Sequence, residues 1–345
     1  MANGEDVLQV SDVDALLDRG LRADEEHDLD VAERILDEAS DRLGENHPRV
    51  LHLAGRIAWA NGDVERAAGF FQQAADAKPQ RADIHIDCAR CLHLLGDDDS
   101  AAEEQLRLAL ALPSIEPLEQ GDARVLLARI RLDDEDPEEA LELLEAIPES
   151  LKEHALYLSN LADVLVELER TDEAIALVER AVAAEPDEAD YHYQLGLVRH
   201  SAGDVEGGTA AMLRVLQLEM QARGPSAEPT SQEVQGLRHA LEQAMAELPD
   251  PLLELVANAP ISVQARATEE QVREGADPRS SVFFVGDPKI EGQEARLEGI
   301  VLARDVVLDE IEDEDELSEA LLVALAGELA DFFDREDLVY AGVGG

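Results

Sequence analysis

The stretch LHLAGRIAWANGDVERAAGFFQQAADAKP, residues 51–79, decides how most of this chain is read. Two apolar-periodic segments flank Gly62-Asp63, a turn signal, and Pro79 closes the second of them. Gly55, Ala67 and Ala74 are small residues that permit close approach of two helices, and Phe71 is the aromatic residue of the second segment. The pattern predicts a helical hairpin.

The same pattern recurs outward from there. Ala67, Ala101, Ala140, Ala174 and Gly208 follow one another at steps of 34, 39, 34 and 34 residues, with Ala32 placed 35 residues ahead. A period near 34 is that of a helix-turn-helix array, in which each unit buries its apolar face on its neighbours. Pro113 and Pro186 stand where Pro79 does, and Gly203-Asp204 repeats the turn of Gly62-Asp63. The 39-residue step is absorbed by an insertion near Pro113-Ser-Ile-Glu-Pro117. The first unit, about 12 to 46, has Gly20 and Ala32 but no closing proline, and the sixth carries Gly207-Gly208, which predicts a weaker second helix.

On these residues, 12 to 220 resemble the tetratricopeptide repeat family. The resemblance implies an α-solenoid of about six helical hairpins over 12–223, behind a flexible start at 1–11, with the first helix of each unit lining a groove. The residue after each unit's small residue faces that groove in the family; here it is Arg56, Arg90 and Arg129. Three guanidinium groups on successive helices form a ladder suited to carboxylates, so the implied partner is a protein or peptide segment, either bearing carboxylates or basic overall. The alternative is that these arginines pair with acidic neighbours such as Asp83, Asp87 or Asp122 and only hold helices together.

Composition agrees with helix packed on helix. Of 345 residues 45% are hydrophobic but only 3% aromatic, with a single Trp59. The formal charge of -51, from 79 acidic and 28 basic residues, repels phosphates and anionic lipid, so neither a nucleic acid nor a membrane is expected as partner. A saline cytoplasm or a G+C-rich genome gives the same bias without any partner. The opening residues lack the charged and apolar parts of a signal peptide, and no later run is apolar for the ~18 residues a membrane helix needs, which makes the cytoplasm the expected location. Cys88 and Cys91 form C-A-R-C, but one pair cannot complete a four-ligand zinc site, and their spacing is ordinary packing within a helix.

After a linker at Gly224-Pro-Ser-Ala-Glu-Pro-Thr-Ser231, Glu233 to Leu248 reads as an amphipathic helix capping the array, so 224–249 is linker and cap. From 250 to 345 the periodicity mixes: helix at Leu252–Ala257, strands at Ile261–Ala265, Ser281–Val285 and Gly299–Ala303, an acidic run at 309–316, then an apolar helix from Ala320. This is a small α+β domain.

That order resembles the zincin-like domain of bacterial minimal gluzincins, a zinc metallopeptidase family, through A259-P-I-S-V263, D277-P-R-S-S-V-F-F-V-G286, G299-I-V-L302 and the final helix into F332-F-D-R-E-D337. Carried across, the family's first histidine falls on Gly327, its glutamate on Glu328, its second histidine on Asp331, its glycine on Asp334 and a further acidic ligand on Asp337. Zinc hydrolysis needs two imidazoles at i and i+4 and a third ligand, with the glutamate taking a proton from metal-bound water. Glycine offers no ligand atom, and all nine histidines lie at or before His239. Glu328, Asp331 and Asp337 suit a hard cation by donor type, but the acidic run lacks calcium-loop spacing. The expectation is therefore a non-enzymatic scaffold without metal or cofactor. The alternative is a diverged metallopeptidase whose ligands come from elsewhere in the chain, with His192, His200 and His239 nearest.

Overall fold

Small residues at helical spacing set the first half of the molecule. The computed structural model describes residues 19, 29–77, 80–96, 99–224, 226–290, 293–310 and 317–334. It divides the chain into two units, Met1–Ala181 and Val182–Gly345.

In the first unit, α1 (Leu29–Leu43) packs on α2 (Pro48–Ala60). Helix α2 pairs with α3 (Val64–Ala77), α4 (Ala82–Leu95) with α5 (Ser100–Ala111), and α6 (Pro117–Asp133) with α7 (Pro137–Glu145). Then come α8 (Ala155–Glu167) and α9 (Thr171–Ala184). Proline opens α2, α6 and α7, where its fixed φ suits the first turn and its missing N–H would have had no partner. Helices α5 and α9 end two residues before Pro113 and Pro186; Pro79 lies outside the described residues. Gly62 turns the α2–α3 hairpin at φ 79°, a backbone that side chains disfavour. A Cβ placed on Gly55 would lie 2.5 Å from the Phe71 ring, so this glycine is what admits the phenylalanine. Phe71 in turn touches the next hairpin, sharing a cluster with Ala67, Cys88 and Cys91. Burial pushes both thiols up to about 12, which makes C-A-R-C core packing.

The second unit begins with the sixth hairpin, α10 (Ala189–Ser201) and α11 (Val205–Arg223). Helix α11, for which Gly207-Gly208 predicts a weaker second helix, runs for 19 residues. The Asp204 side chain caps it by accepting from Gly207 N–H at 2.9 Å, and Gly208 lets the His200 ring approach closely. There follow α12 (Ser231–Glu247), α13 (Asp250–Val256), β1 (Ile261–Gln264), α14 (Glu269–Arg273), β2 (Val282–Asp287), β3 (Arg296–Ala303), α15 (Arg304–Glu310) and α16 (Leu317–Phe333). The sheet order is β1-β3-β2, with β1 parallel and β2 antiparallel to β3.

Successive strand residues face opposite ways, and here both faces are covered. Val282, Phe284, Ile300 and Leu302 meet Leu241 of α12, Leu252 of α13 and Leu321, Leu325 and Leu329 of α16. Phe283, Val301 and Ala303 meet Met212 and Leu216 of α11, with Tyr193 of α10 beside them. The apolar face of α12 is thus used on the sheet and α16, and the sixth repeat hairpin forms the other outer layer of the α+β fold.

Candidate functional site

In the second unit, α16 lies against the free edge of β2. Glu328 projects there, with the Phe284 backbone N–H and Ser280 as hydrogen-bond partners. Burial, reinforced by the negative charges of Asp331 and Asp277, outweighs those bonds and raises the Glu328 carboxyl to about 7. A cavity of about 690 Å³ opens beside it, walled by Glu274, Asp277, Phe284, Arg296 and Asp331 among others. No histidine or cysteine lines it among the described residues. The aromatic side of the cavity is built by Phe284 and Phe332, edge to face at 5.4 Å between ring centroids.

The motif positions fall unevenly on this geometry. Glu328 and Asp331 share the cavity, whereas Gly327 is exposed and a Cβ there would meet nothing within 4 Å. Asp334 ends the described helix at φ 53°, a left-handed backbone that glycine would adopt freely. Asp337 lies outside the described residues. The three histidines of this unit are placed elsewhere. His192 Nε2 is 2.9 Å from the Pro186 carbonyl oxygen, His200 packs on Gly208, and His239 is exposed on α12.

Asp277 joins the cavity to the repeat hairpin, accepting from the Tyr193 hydroxyl at 2.6 Å. Two residues on, Arg279 bonds Glu219 and Asp190 at 2.7 Å each, its guanidinium 4.7 Å from the centre of the Tyr193 ring.

In the first unit the arginine ladder is only partly assembled. Arg90 Nη1 donates to Asp87 Oδ1 at 3.1 Å, and Arg56 Nη1 stands 3.9 Å from Asp87 Oδ2. Both lean on one acidic neighbour, as the helix-holding alternative expects. Arg129 is apart from them, exposed, in a hollow of about 210 Å³ with Asp133, Asn160 and Asp163. Sequence reading missed a second series at the same repeat position: His52, Asp87, Asp122 and Tyr157, on α2, α4, α6 and α8, recur at steps of 35 residues. His52 Nε2 lies 3.0 Å from Asp87 Oδ2, and the Tyr157 hydroxyl donates to Asp122 Oδ1 at 3.2 Å. Burial raises the Asp122 carboxyl, with Tyr157 and Arg90 pulling against it. The constant spacing was the available signal.

Models of the tetratricopeptide repeat match residues 17–82 and 159–227, and a second such model matches 58–116. No curated protein matches the chain. Among solved structures, PilF of Pseudomonas aeruginosa is similar at 14% identity and a TM-score of 0.52, covering 63% of this chain and 95% of that one. MamA of Desulfovibrio magneticus is similar at 20% identity and 0.42 over 50% of this chain and 96% of its own. A thermophilic tetratricopeptide protein of Thermus thermophilus gives 16% and 0.45, covering 54% and 98%. Among the described residues no helix is long and apolar enough to cross a membrane. The helical hairpins built from these matched stretches are tetratricopeptide repeats.

Proposed function

We propose that the chain is a non-enzymatic cytoplasmic scaffold, in which the tetratricopeptide hairpins hold a protein segment and the C-terminal α+β part is a zincin-like fold acting without metal or cofactor. The observation that carries this reading is the cavity beside Glu328. Its walls carry several carboxylates, aromatic rings and Arg296, Gly327 offers no ligand atom, and neither histidine nor cysteine reaches it among the described residues. Zinc-activated water needs imidazole or thiolate donors that hold the ion while leaving one position open. The alternative enzyme requires two histidine nitrogens within about 2.1 Å of one point near Glu328, and His192, His200 and His239 are placed elsewhere. The zincin likeness itself is supported by the placement of Glu328 beside the antiparallel edge strand β2 and by the left-handed backbone at Asp334.

For the repeats, Arg129 and the outer part of Arg90 offer donors to a partner's carboxylates, while Arg56 and Arg90 also brace Asp87. Capture of proteins from lysate by the full chain, compared with Arg56→Ala, Arg90→Ala and Arg129→Ala combined, tests the ladder. We expect the triple variant to lose its main bound protein while the full chain leaves casein intact with and without added zinc. Unchanged capture would remove the ladder from the reading. Casein hydrolysis abolished by Glu328→Gln would replace the scaffold with the enzyme.

A further inference from the structure

The turn ends of two successive hairpins in the first unit meet at three side chains that can hold metal. His93 lies in the last turn of α4, Asp99 immediately precedes α5, and Asp133 is the last residue of α6. One donor atom from each lies within 4.8 Å of the other two. His93 Nδ1 is 2.9 Å from Asp99 Oδ1, and its Nε2 is 3.7 Å from Asp133 Oδ2. Asp99 occupies an N-cap position, yet its carboxylate makes no capping bond to α5 and is turned to the imidazole instead. Among the described residues neither carboxylate has a guanidinium or ammonium partner. Of the neighbouring cations, Arg131 is committed to Glu103, Asp134 and Glu139, and Arg129, which shares a hollow with Asp133, makes no ion pair with it. Two carboxylates therefore share a single imidazole, and a cation placed among them would balance the excess charge.

We propose that His93, Asp99 and Asp133 form a binding site for a divalent first-row transition-metal ion, which would tie the α4–α5 hairpin to α6. One nitrogen and two oxygens are a borderline donor set that fits zinc, nickel, cobalt or manganese better than calcium, which takes oxygen ligands alone. Donors about 2.1 Å from a tetrahedral ion stand about 3.4 Å from one another, so donor atoms that now lie within 4.8 Å need to close by up to about 1.4 Å, within the reach of surface rotamers. Water would complete the coordination.

The site goes beyond the scaffold reading and is tested separately from it. Full-length protein stripped by chelator and titrated calorimetrically with zinc should take up one ion per chain. His93→Ala and Asp133→Asn should each weaken uptake at least about tenfold, while Glu328→Gln leaves it unchanged. Asp133 is at the surface, so its variant keeps the test valid if His93→Ala misfolds. Absence of uptake by the unmodified chain, or uptake equal in both variants, would overturn the proposal. Uptake lost in Glu328→Gln but retained in His93→Ala would overturn it and also the metal-free reading of the C-terminal fold.

Discussion

Hairpins α2–α3 and α10–α11 turn on equivalent glycines, Gly62 at φ 79° and Gly203 at 81°. Each also seats a large residue sixteen positions after a bare glycine, Phe71 on Gly55 and Met212 on Gly196. Their surroundings differ. Phe71 is enclosed by further helices of the array, whereas Met212 and Leu216 are enclosed by Phe283, Val301 and Ala303 of a β-sheet. The same repeat therefore serves once as a link in a stack and once as one outer layer of an α/β/α sandwich. A repeat presents an apolar side, and whatever offers a matching apolar face can take the next repeat's place.

Truncation should separate the two hairpins most strongly. A fragment of 224–345 leaves Phe283, Val301 and Ala303 facing water and is expected not to fold. A fragment of 182–345 keeps hairpin α10–α11 over them and should unfold cooperatively in circular dichroism. A folded 224–345 would mean that the hairpin is not part of that core.

A single side chain on each side sharpens it. Phe71→Ala and Phe283→Ala both empty a site that is 1% exposed, and each should cost about 3–5 kcal/mol. Hydrogen exchange should report the first loss within residues 29–181 and the second within 182–334, including α11. Protection of α11 untouched by Phe283→Ala would count against the shared core.

The smallest effect concerns Glu328, whose folded carboxyl titrates near 7 against an ordinary value of 4.5. A raised pKa means that the fold favours the protonated form, so this group's contribution is fully present below about pH 4.5 and is lost as pH rises through 7. Glu328→Gln should therefore match the unmodified protein near pH 4.5 and exceed it above pH 7, by roughly 2 kcal/mol after allowing for the open cavity. Equal stability at pH 8 would show that solvent relieves the carboxylate.

The hairpins and strands were legible because their signals are local. Gly62 with Pro113 and Pro186 punctuates helices, and Val282-Phe-Phe-Val285 reads as a strand from four adjacent residues. That run and Ile300-Val-Leu-Ala303 are apolar on both faces, which already announces cover on two sides. Which helix supplies the second cover depends on residues some seventy to ninety positions away, Met212 and Leu216, and no local pattern carries that. The short α14 and α15 were not visible either, since five and seven residues are too few for helical periodicity to register. Of the candidate site, the missing imidazoles were legible as residue types. The raised Glu328 was not, because it depends first on burial in the folded chain and then on charges that include Asp277, fifty-one positions earlier in the chain.

The two buried cysteines leave the molecule chemically quiet. With thiols pushed up to about 12 by burial, neither Cys88 nor Cys91 holds appreciable thiolate at neutral pH, so thiol reagents such as maleimides find no reactive cysteine in the folded chain. A cysteine introduced at an exposed position such as Val323 would then carry a fluorophore or spin label alone, without first removing the native pair.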